Sequence, residues 1–311
     1  MWAQELLPQK YKLYAGNLRR EGGAGMSGQA YSIEMPQGWQ SPVVIASPHS
    51  GSNYPKTFVS QSILDAKRLR SSEDAFVDLL FAAAPRLGMP LLAAKMPRAY
   101  VDLNRSSEEL DPALIEGARR RGQNPRVASG LGVIPRVVSN GRAIYSGKIT
   151  MQEARMRIDD YWFPYHTALQ RLLDAAHTRF GEAILIDCHS MPHEAIVNCS
   201  PQREKRPEIV LGDRFGAAAD GSIVDEIEAA FAEAGFRVAR NSPFAGAYIT
   251  QTYGRPFRQQ HAIQVEIDRS LYMDEANIAP NAEFEAIRAR LTQALQRISG
   301  LRKDQKPMAA E

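Results

Sequence analysis

Short apolar runs alternate along the chain with longer segments in which apolar residues recur at helical spacing. The runs have the length of strands and lie at Val43–Ala46, Ala183–Asp187, Ile209–Leu211 and Ala262–Ile267. Helical periodicity is clearest at 151–179, 222–234 and 282–299. Strands that are apolar throughout and separated by helices are typical of a largely parallel sheet covered on both faces. The pattern therefore predicts an α/β protein.

Shorter elements are expected between these segments. Ser71 and Ser72 are suitable N-cap residues for a helix whose first turn contains Glu73 and Asp74. Further short strands are expected at Ala99–Leu103, near 236–239 and near 247–251. The stretch 104–147 is long and rich in turn residues, and loops of this kind often build the site of an enzyme.

The expected domain organisation is simple. Residues 1–31 mix glycines with charges and show no sustained period, so they are interpreted as an N-terminal extension. A single α/β domain is expected at 32–300, followed by a flexible tail at 301–311.

Composition narrows the class of protein. The 311 residues carry a net charge of +3, which argues against a nucleic-acid-binding protein, and 44% of them are hydrophobic, enough for a sizeable core. Cys188 and Cys199 are too few for a disulfide scaffold. The first 30 residues lack an apolar signal-peptide core, and no run approaches the roughly 20 apolar residues that cross a bilayer. A cytoplasmic protein without membrane insertion is expected.

Polar side chains follow three of the predicted strands where ligands bind in sheets of this kind. His49, His189 and Glu266 occupy these strand ends, and the Glu73–Asp74 pair is a fourth candidate. Two histidines with one carboxylate form a ligand set of catalytic zinc sites, which leave one position open for water. A further carboxylate that does not bind the metal can act as general base.

Each candidate also has an ordinary structural explanation. A histidine after a strand is often a hydrogen-bonded loop residue, and Glu266 could instead pair with an arginine such as Arg269. His193 lies close enough to His189 to be a rival ligand. The segment Pro97–Arg105 carries arginine and asparagine donors that suit an anionic substrate, or its charged residues could pair with one another to anchor a loop.

Five ordered motifs resemble those of the N-formylglutamate amidohydrolase family over residues 40 to 290. They are Ser47–Gly51, Ser72–Asp78, Pro97–Arg105, Asp187–Pro192 and Gln264–Arg269. The resemblance implies a three-layer α/β/α sandwich with a mixed, largely parallel sheet, of the phosphorylase/hydrolase-like type found in zinc carboxypeptidases and aspartoacylase. It also implies hydrolysis of N-formyl-L-glutamate to formate and L-glutamate.

The same resemblance implies roles for individual residues. One Zn²⁺ per chain, or another divalent ion, would be held by His49, Asp74 and His189, with Glu73 as the alternative to Asp74. Glu266 would be the general base. Substrate would be bound by the donors of one segment, Arg98, Asn104 and Arg105, with Arg105 also in a catalytic role.

Two other functions remain open from the sequence. One is a zinc hydrolase for another N-acyl amino acid or for a peptide C-terminus, because an arginine clamp recognises any carboxylate. The other is an inactive metal-binding scaffold on the same fold. A small carboxylate substrate is the expected partner, with no nucleic acid or membrane, and the oligomeric state is left open.

Overall fold

A mixed sheet with helices on both faces forms the centre of the computed structural model, which describes residues 26–27, 30–119, 122–199, 202 and 206–301. In this part of the chain the main sheet has eight strands in the order β1-β2-β4-β3-β5-β8-β6-β7. The strands are β1 Met26–Ser27, β2 Tyr31–Glu34, β3 Val43–Ser47, β4 Leu91–Ala94, β5 Ala183–Met191, β6 Ile209–Gly212, β7 Val238–Arg240 and β8 Gln260–Asp268. A separate pair joins β9 Met273–Asp274 to β10 Ala279–Pro280.

The central strands β4, β3, β5 and β8 are parallel, whereas β2 and β6 pair with them in the antiparallel sense. Because parallel strands end at the same edge of a sheet, the residues that follow β3 and complete β5 and β8 meet there. The predicted mixed, largely parallel α/β sheet is confirmed.

Helices occupy most of the connections between the strands. Among the described residues the α-helices are α1 Lys56–Gln61, α2 Ala66–Leu69, α3 Val77–Leu80, α4 Pro125–Ala128, α5 Met151–Arg157, α6 Phe163–Phe180, α7 His193–Cys199, α8 Gly221–Glu233, α9 Tyr248–Tyr253 and α10 Phe284–Ser299. A π-helical segment at Ile158–Trp162 joins α5 to α6, so the long helical stretch predicted for 151–179 is one helix with a local widening just before Pro164. The helices predicted at 222–234 and 282–299 are confirmed as α8 and α10.

Two buried clusters cover the two faces of the sheet. One cluster packs α3, α8 and α10 against alternate strand residues such as Ile45 and Ile186. The other packs α1, α6 and α9 against the intervening residues, such as Val44 and Leu185. The molecule therefore has the three layers expected of an α/β/α sandwich.

On the face covered by α6 and α9, the last residues of β5 and β8 are polar instead of apolar. Asp187 pairs in register with Gln264, and His189 pairs with Glu266. Their side chains share one face because alternate residues of a strand point the same way. Cys188 points to the opposite face, as its place between Asp187 and His189 requires.

The helix expected to begin at Ser71 or Ser72 begins later, at Val77, so Glu73 and Asp74 precede it instead of lying in its first turn. Phe76 has φ 68°, which interrupts helical geometry before Val77. The backbone N–H of Asp74 donates to the carbonyl of His49 at 3.1 Å. This tertiary contact fixes the backbone of Asp74 beside His49.

Two predicted short strands are wrong as well. Ala99–Leu103 is a turn, because the N–H groups of Tyr100 and Val101 both donate to the carbonyl of Pro97. The β-branched stretch at 247–251 falls in α9, whereas the strand expected near 236–239 is present as β7 at Val238–Arg240. Propensity is a weak guide in short segments whose backbone groups bind distant side chains.

Most of the N-terminal extension at 1–31, and all but the first residue of the tail at 301–311, lie outside the described residues. The assignment of 32–300 to one domain stays a prediction. Each helix among the described residues is too short or too polar to cross a bilayer.

Gly212 at the end of β6 allows a loop to lie directly against the sheet. A Cβ atom at this position would be 2.6 Å from the nitrogen of Gly246 and 2.7 Å from the carbonyl carbon of Ala245. We expect Gly212→Ala to lower the free energy of unfolding by about 1–3 kcal/mol, because both obstacles are backbone atoms. Urea unfolding of both variants measures the change.

The matched control is Gly221→Ala at the start of α8, where a new Cβ meets nothing within 4 Å. Its free energy of unfolding should stay within about 1 kcal/mol of the parent protein. Equal stability of the two variants would contradict the steric role of Gly212.

Candidate metal and catalytic site

His49, Asp74 and His189 meet at the carboxyl edge of the sheet, where His49 follows β3 and His189 belongs to the last three residues of β5. Each offers one ligand atom, and these atoms all lie within 4.8 Å of one another. All three side chains are buried, and His49 and His189 are each 2% exposed. The structure therefore brings together the three residues that the sequence resemblance implied as ligands.

The Nδ1 atoms of both histidines face the same carboxylate oxygen. His189 Nδ1 lies 3.0 Å and His49 Nδ1 3.4 Å from Asp74 Oδ2. His49 Nδ1 is buried without a hydrogen-bond partner, which is costly unless a further atom binds there. Two imidazole nitrogens and a carboxylate oxygen form a donor set that suits Zn²⁺, so these residues fit a metal ion.

The other oxygen of Asp74 is held by arginines. Arg269 Nη2 donates to Oδ1 at 2.8 Å, and Arg98 Nη1 lies 3.7 Å from it. Burial opposes ionisation of Asp74, but the hydrogen bond from His189, the nearby imidazole of His49 and the charge of Arg98 together hold its pKa well below the usual range. The carboxylate is therefore ionised and has Oδ2 turned toward the histidines.

Each histidine has a second carboxylate beside its Nε2 atom. His49 Nε2 is 2.7 Å from Asp102 Oδ1 in a buried hydrogen bond. His189 Nε2 lies 3.0 Å from Asp187 Oδ2, although off the direction that a hydrogen bond prefers, and 3.2 Å from Asn104 Nδ2. Carboxylates in this position orient metal-binding histidines and strengthen them as ligands.

Sequence reasoning missed Asp102 and Asp187 as partners of the histidines. Asp187 could have been found from spacing alone, because it lies two residues before His189 on the same strand and hence on the same face. Asp102 lies 53 residues from His49, and no local pattern connects the two.

Glu73 and His193 lie outside the cluster. The carboxylate of Glu73 accepts a hydrogen bond from Tyr54 at 3.0 Å and forms an ion pair with Arg70 at 2.8 Å. His193 Nδ1 binds Asp268 at 2.8 Å, and its side chain is 39% exposed. Both residues already have partners of their own in the fold.

Glu266 faces His189 across the strand pair. Its Oε1 accepts a hydrogen bond from Gln264 at 2.8 Å. The pKa of Glu266 is raised to about 7, chiefly by burial; the charge of Asp74 adds to the rise, and those of His189, Arg98 and Arg269 oppose it. Such a carboxyl group can take up and release a proton near neutral pH.

Arg269, which the sequence suggested as a structural partner of Glu266, instead binds Asp74 and the hydroxyl of Ser190. The expected pairing within Pro97–Arg105 is present in part, because Arg98 forms an ion pair with Asp102 at 3.0 Å.

Asn104 and Arg105 are held from several sides. Asn104 Oδ1 accepts the backbone N–H of Ile249 at 2.8 Å. Arg105 donates from Nε to the carbonyl of Leu131 at 3.0 Å and from Nη1 to that of Asn104 at 2.8 Å. Within the described ranges its Nη2 has no hydrogen-bond partner, which leaves it available to a bound anion.

Side chains of the helical stretch that ends in α6 bind the backbone of the segment around Asn104 and Arg105. Trp162 donates from its ring nitrogen to the carbonyl of Arg105 at 2.9 Å, and His166 Nε2 lies 2.9 Å from that of Leu103. His166 Nδ1 is 2.8 Å from the hydroxyl of Tyr253. Burial lowers the pKa of His166 to about 4, so this histidine is neutral and structural.

A buried His–Asp–His cluster at the carboxyl edge of a parallel sheet suits the site of a metal-dependent hydrolase. The model of the N-formylglutamate amidohydrolase family matches residues 41–273. The chain therefore belongs to the N-formylglutamate amidohydrolase family.

Individual proteins agree with this membership. The N-formylglutamate deformylase of Pseudomonas aeruginosa is 32% identical over 264 residues, which cover 82% of this chain and 91% of that protein. The N-formylglutamate deformylase of Pseudomonas putida is 31% identical, covering 75% and 82%. The crystal structure of N-formylglutamate amidohydrolase from Ralstonia eutropha JMP134 matches with a TM-score of 0.81 and 36% identity, covering 88% and 98%.

Neutral His166 should make stability depend on pH. Its folded pKa of about 4 lies below the ordinary value of 6.5, so the unfolded chain binds the proton more readily. The stability that depends on neutral His166 is therefore fully present above pH 6.5 and is lost as the pH falls toward 4. Between pH 7.5 and 4.5, wild type should lose about 2 kcal/mol more stability than His166→Gln.

Urea unfolding of both proteins across this pH range measures the difference. His177→Gln is the control, because His177 lies exposed on the same helix and binds only the carbonyl of Arg258 among the described residues. If the free energies of unfolding of wild type and His166→Gln change in parallel with pH, His166 is not held neutral by the fold.

Proposed function

We propose that this protein is a metal-dependent amidohydrolase that converts N-formyl-L-glutamate and water to formate and L-glutamate. Family membership and the names of its relatives support the substrate. The observation that carries the proposal is the convergence of His49 Nδ1, His189 Nδ1 and Asp74 Oδ2 beside Glu266. A site of this composition supports metal-assisted hydrolysis.

The proposed ligands are His49, Asp74 and His189, and the proposed ion is Zn²⁺. Such an ion supplies a Lewis acid that polarises the formyl carbonyl and makes water acidic enough to lose a proton near neutral pH. Asp102 binds the Nε2 side of His49, and Asp187 and Asn104 lie beside that of His189, so both Nδ1 atoms are directed at the site. Arg269 keeps Asp74 in place through its other oxygen.

Glu266 is the proposed general base. Its carboxylate removes a proton from the attacking water and later delivers that proton to the departing amine nitrogen. The raised pKa suits both steps, because the group can hold the proton between them. Gln264 fixes one carboxylate oxygen and leaves the other free to accept the proton.

The remaining donors position the substrate. Arg98 lies beside Asp74 and is the proposed donor to the oxyanion that forms when water attacks the carbonyl. Arg105 Nη2 is the proposed donor to a substrate carboxylate. Asn104 is proposed to join it by exchanging the weak hydrogen bond from its Nδ2 to Gln264 Oε1, at 3.4 Å, for one to the substrate. Trp162 holds the carbonyl of Arg105 and His166 that of Leu103, which suits a segment whose side chains must stay in one orientation during catalysis.

Metal content and activity should be lost together when a ligand is removed. We expect about one zinc per wild-type chain, and His189→Ala should lose both the zinc and the release of formate from N-formyl-L-glutamate. Elemental analysis and a formate assay on the same samples test this. His177→Ala, which changes an exposed histidine, should retain both.

Zinc present in wild type without formate release would reject the substrate and keep the metal site. In that case other N-acyl amino acids become the substrates to assay. Absence of any divalent metal from active wild-type protein would reject the mechanism.

Removing the general base should separate chemistry from metal binding. Glu266→Gln is expected to keep zinc but lose at least about 100-fold in kcat, because the amide cannot accept a proton. Wild-type kcat should fall as pH drops through the pKa of Glu266, and a bound cation should place that pKa below the value of about 7 found for the protein alone. Loss of zinc in Glu266→Gln would show that this residue is a ligand.

A further inference from the structure

A second carboxylate distinguishes N-formyl-L-glutamate from most N-formyl amino acids. Arg105 and Asn104 account for one carboxylate in the proposed function, on which this inference rests. A further cation within reach of the other carboxylate would favour a dianionic substrate over one with a single carboxylate. Arg126 is a guanidinium near Arg105 to which neither the sequence motifs nor the mechanism assigns a role.

The position of Arg126 is set by a short, well-anchored segment. Asn124 caps α4 by accepting the N–H groups of Arg126 and Val127, and Pro125 occupies the first turn. The carbonyl of Arg126 accepts the N–H of Leu131 at 2.8 Å, and the carbonyl of Leu131 accepts Arg105 Nε at 3.0 Å. Two hydrogen bonds thus connect the backbone of Arg126 to the side chain of Arg105.

The rest of this segment is anchored too. Arg136 forms an ion pair with Asp111 at 2.8 Å and donates to the carbonyl of Ala128 at 3.3 Å. These contacts hold α4 and the loop after it against the part of the chain that follows Arg105. A side chain carried by this segment therefore starts from a defined backbone position.

The orientation of α4 turns Arg126 away from a neighbouring cavity. Asn124, Val127 and Ala128 line that cavity, of about 570 Å³, together with acidic residues that include Glu109 and Asp111. Arg126 does not line it, in keeping with the 100° that separates successive helix residues.

The charge of Arg126 acts on Arg105. Burial lowers the pKa of Arg105 and Asp102 opposes this; the positive charges of Arg126 and then Arg98 lower the pKa further, and Glu109 opposes them. Three guanidinium groups thus share one region. Arg98 is paired with Asp102, but within the described residues no carboxylate lies within 4.0 Å of Arg126.

We propose that Arg126 binds the second carboxylate of the substrate and so selects N-formyl derivatives of dicarboxylic amino acids. Without a ligand, the exposed guanidinium is repelled by Arg105. A dianion between Arg105 and Arg126 would replace this repulsion with two charge-assisted contacts.

The test compares N-formyl-L-glutamate with N-formyl-L-glutamine, which has nearly the same shape but only one carboxylate. Arg126→Ala should lower kcat/KM for the glutamate compound about 10-fold, mainly through KM, because charge-assisted contacts in partly exposed sites have this magnitude. The value for the glutamine compound should change less than about 2-fold. Arg126→Lys should recover part of the loss because it keeps the charge.

Two matched arginine variants sharpen the result. Arg142→Ala removes an exposed arginine elsewhere in the loop region and should leave both substrates unaffected. Arg214→Ala tests a rival, because Arg214 is half-buried and its backbone N–H donates to Ala245, next to the loop that reaches Gln264. Selective loss in Arg214→Ala but not in Arg126→Ala would overturn the proposal, as would equal loss of both substrates in Arg126→Ala.

A binding experiment keeps this inference separate from the proposed reaction. Calorimetry on the metal-loaded protein would compare glutarate with its mono-amide, glutaramate. If wild type hydrolyses neither N-formyl compound, the proposed function fails. The role of Arg126 is still supported in that case if wild type binds glutarate more tightly than glutaramate and Arg126→Ala abolishes this difference. Equal affinity of Arg126→Ala and wild type for glutarate would refute the role of Arg126 whatever the reaction.

Discussion

The carboxylate of Asp74 connects the segments on which the site depends. One oxygen faces the Nδ1 atoms of His49 and His189, and the other accepts a hydrogen bond from Arg269 at the end of β8. The backbone N–H of Asp74 also donates to the carbonyl of His49. One ionised, buried side chain therefore holds together the ends of β3, β5 and β8. Such a group is stable only when its charge is fully compensated, so the surrounding residues are constrained as a set.

Residues around the His49, Asp74 and His189 cluster also make more than one contact each. Asp102 orients His49 and also pairs with Arg98, the proposed oxyanion donor. Asn104, two residues further on, contacts His189 and is held by the N–H of Ile249 at the start of α9. The positions of the proposed metal ligands and of the proposed substrate donors therefore depend on one another. Displacement of the turn at 97–105 would move the imidazole of His49 as well as the donors proposed for the substrate.

Much of the site could be anticipated from the chain alone. His49, His189 and Glu266 each follow or end a recognisable strand, and strand ends of parallel sheets meet. The structure brings these residues together with Asp74 as expected, although Asp74 lies before its helix and not within it. The partner of Arg269 was not foreseen, because Asp74 and Glu266 are both near enough in the fold to compete for it and sequence distance does not rank them.

The sequence by itself determined the α/β class, the long helices and the residue types available for chemistry. These depend on periodicity and on side-chain composition, which are local properties. Only the tertiary structure decided that Ala99–Leu103 is a turn and that 247–251 is helical. It also decided that Asp102 and Asp187 lie beside the Nε2 atoms of the two histidines. The physical reason is that buried polar groups must find partners, and in a folded chain those partners come from whichever distant segment the sheet places beside them.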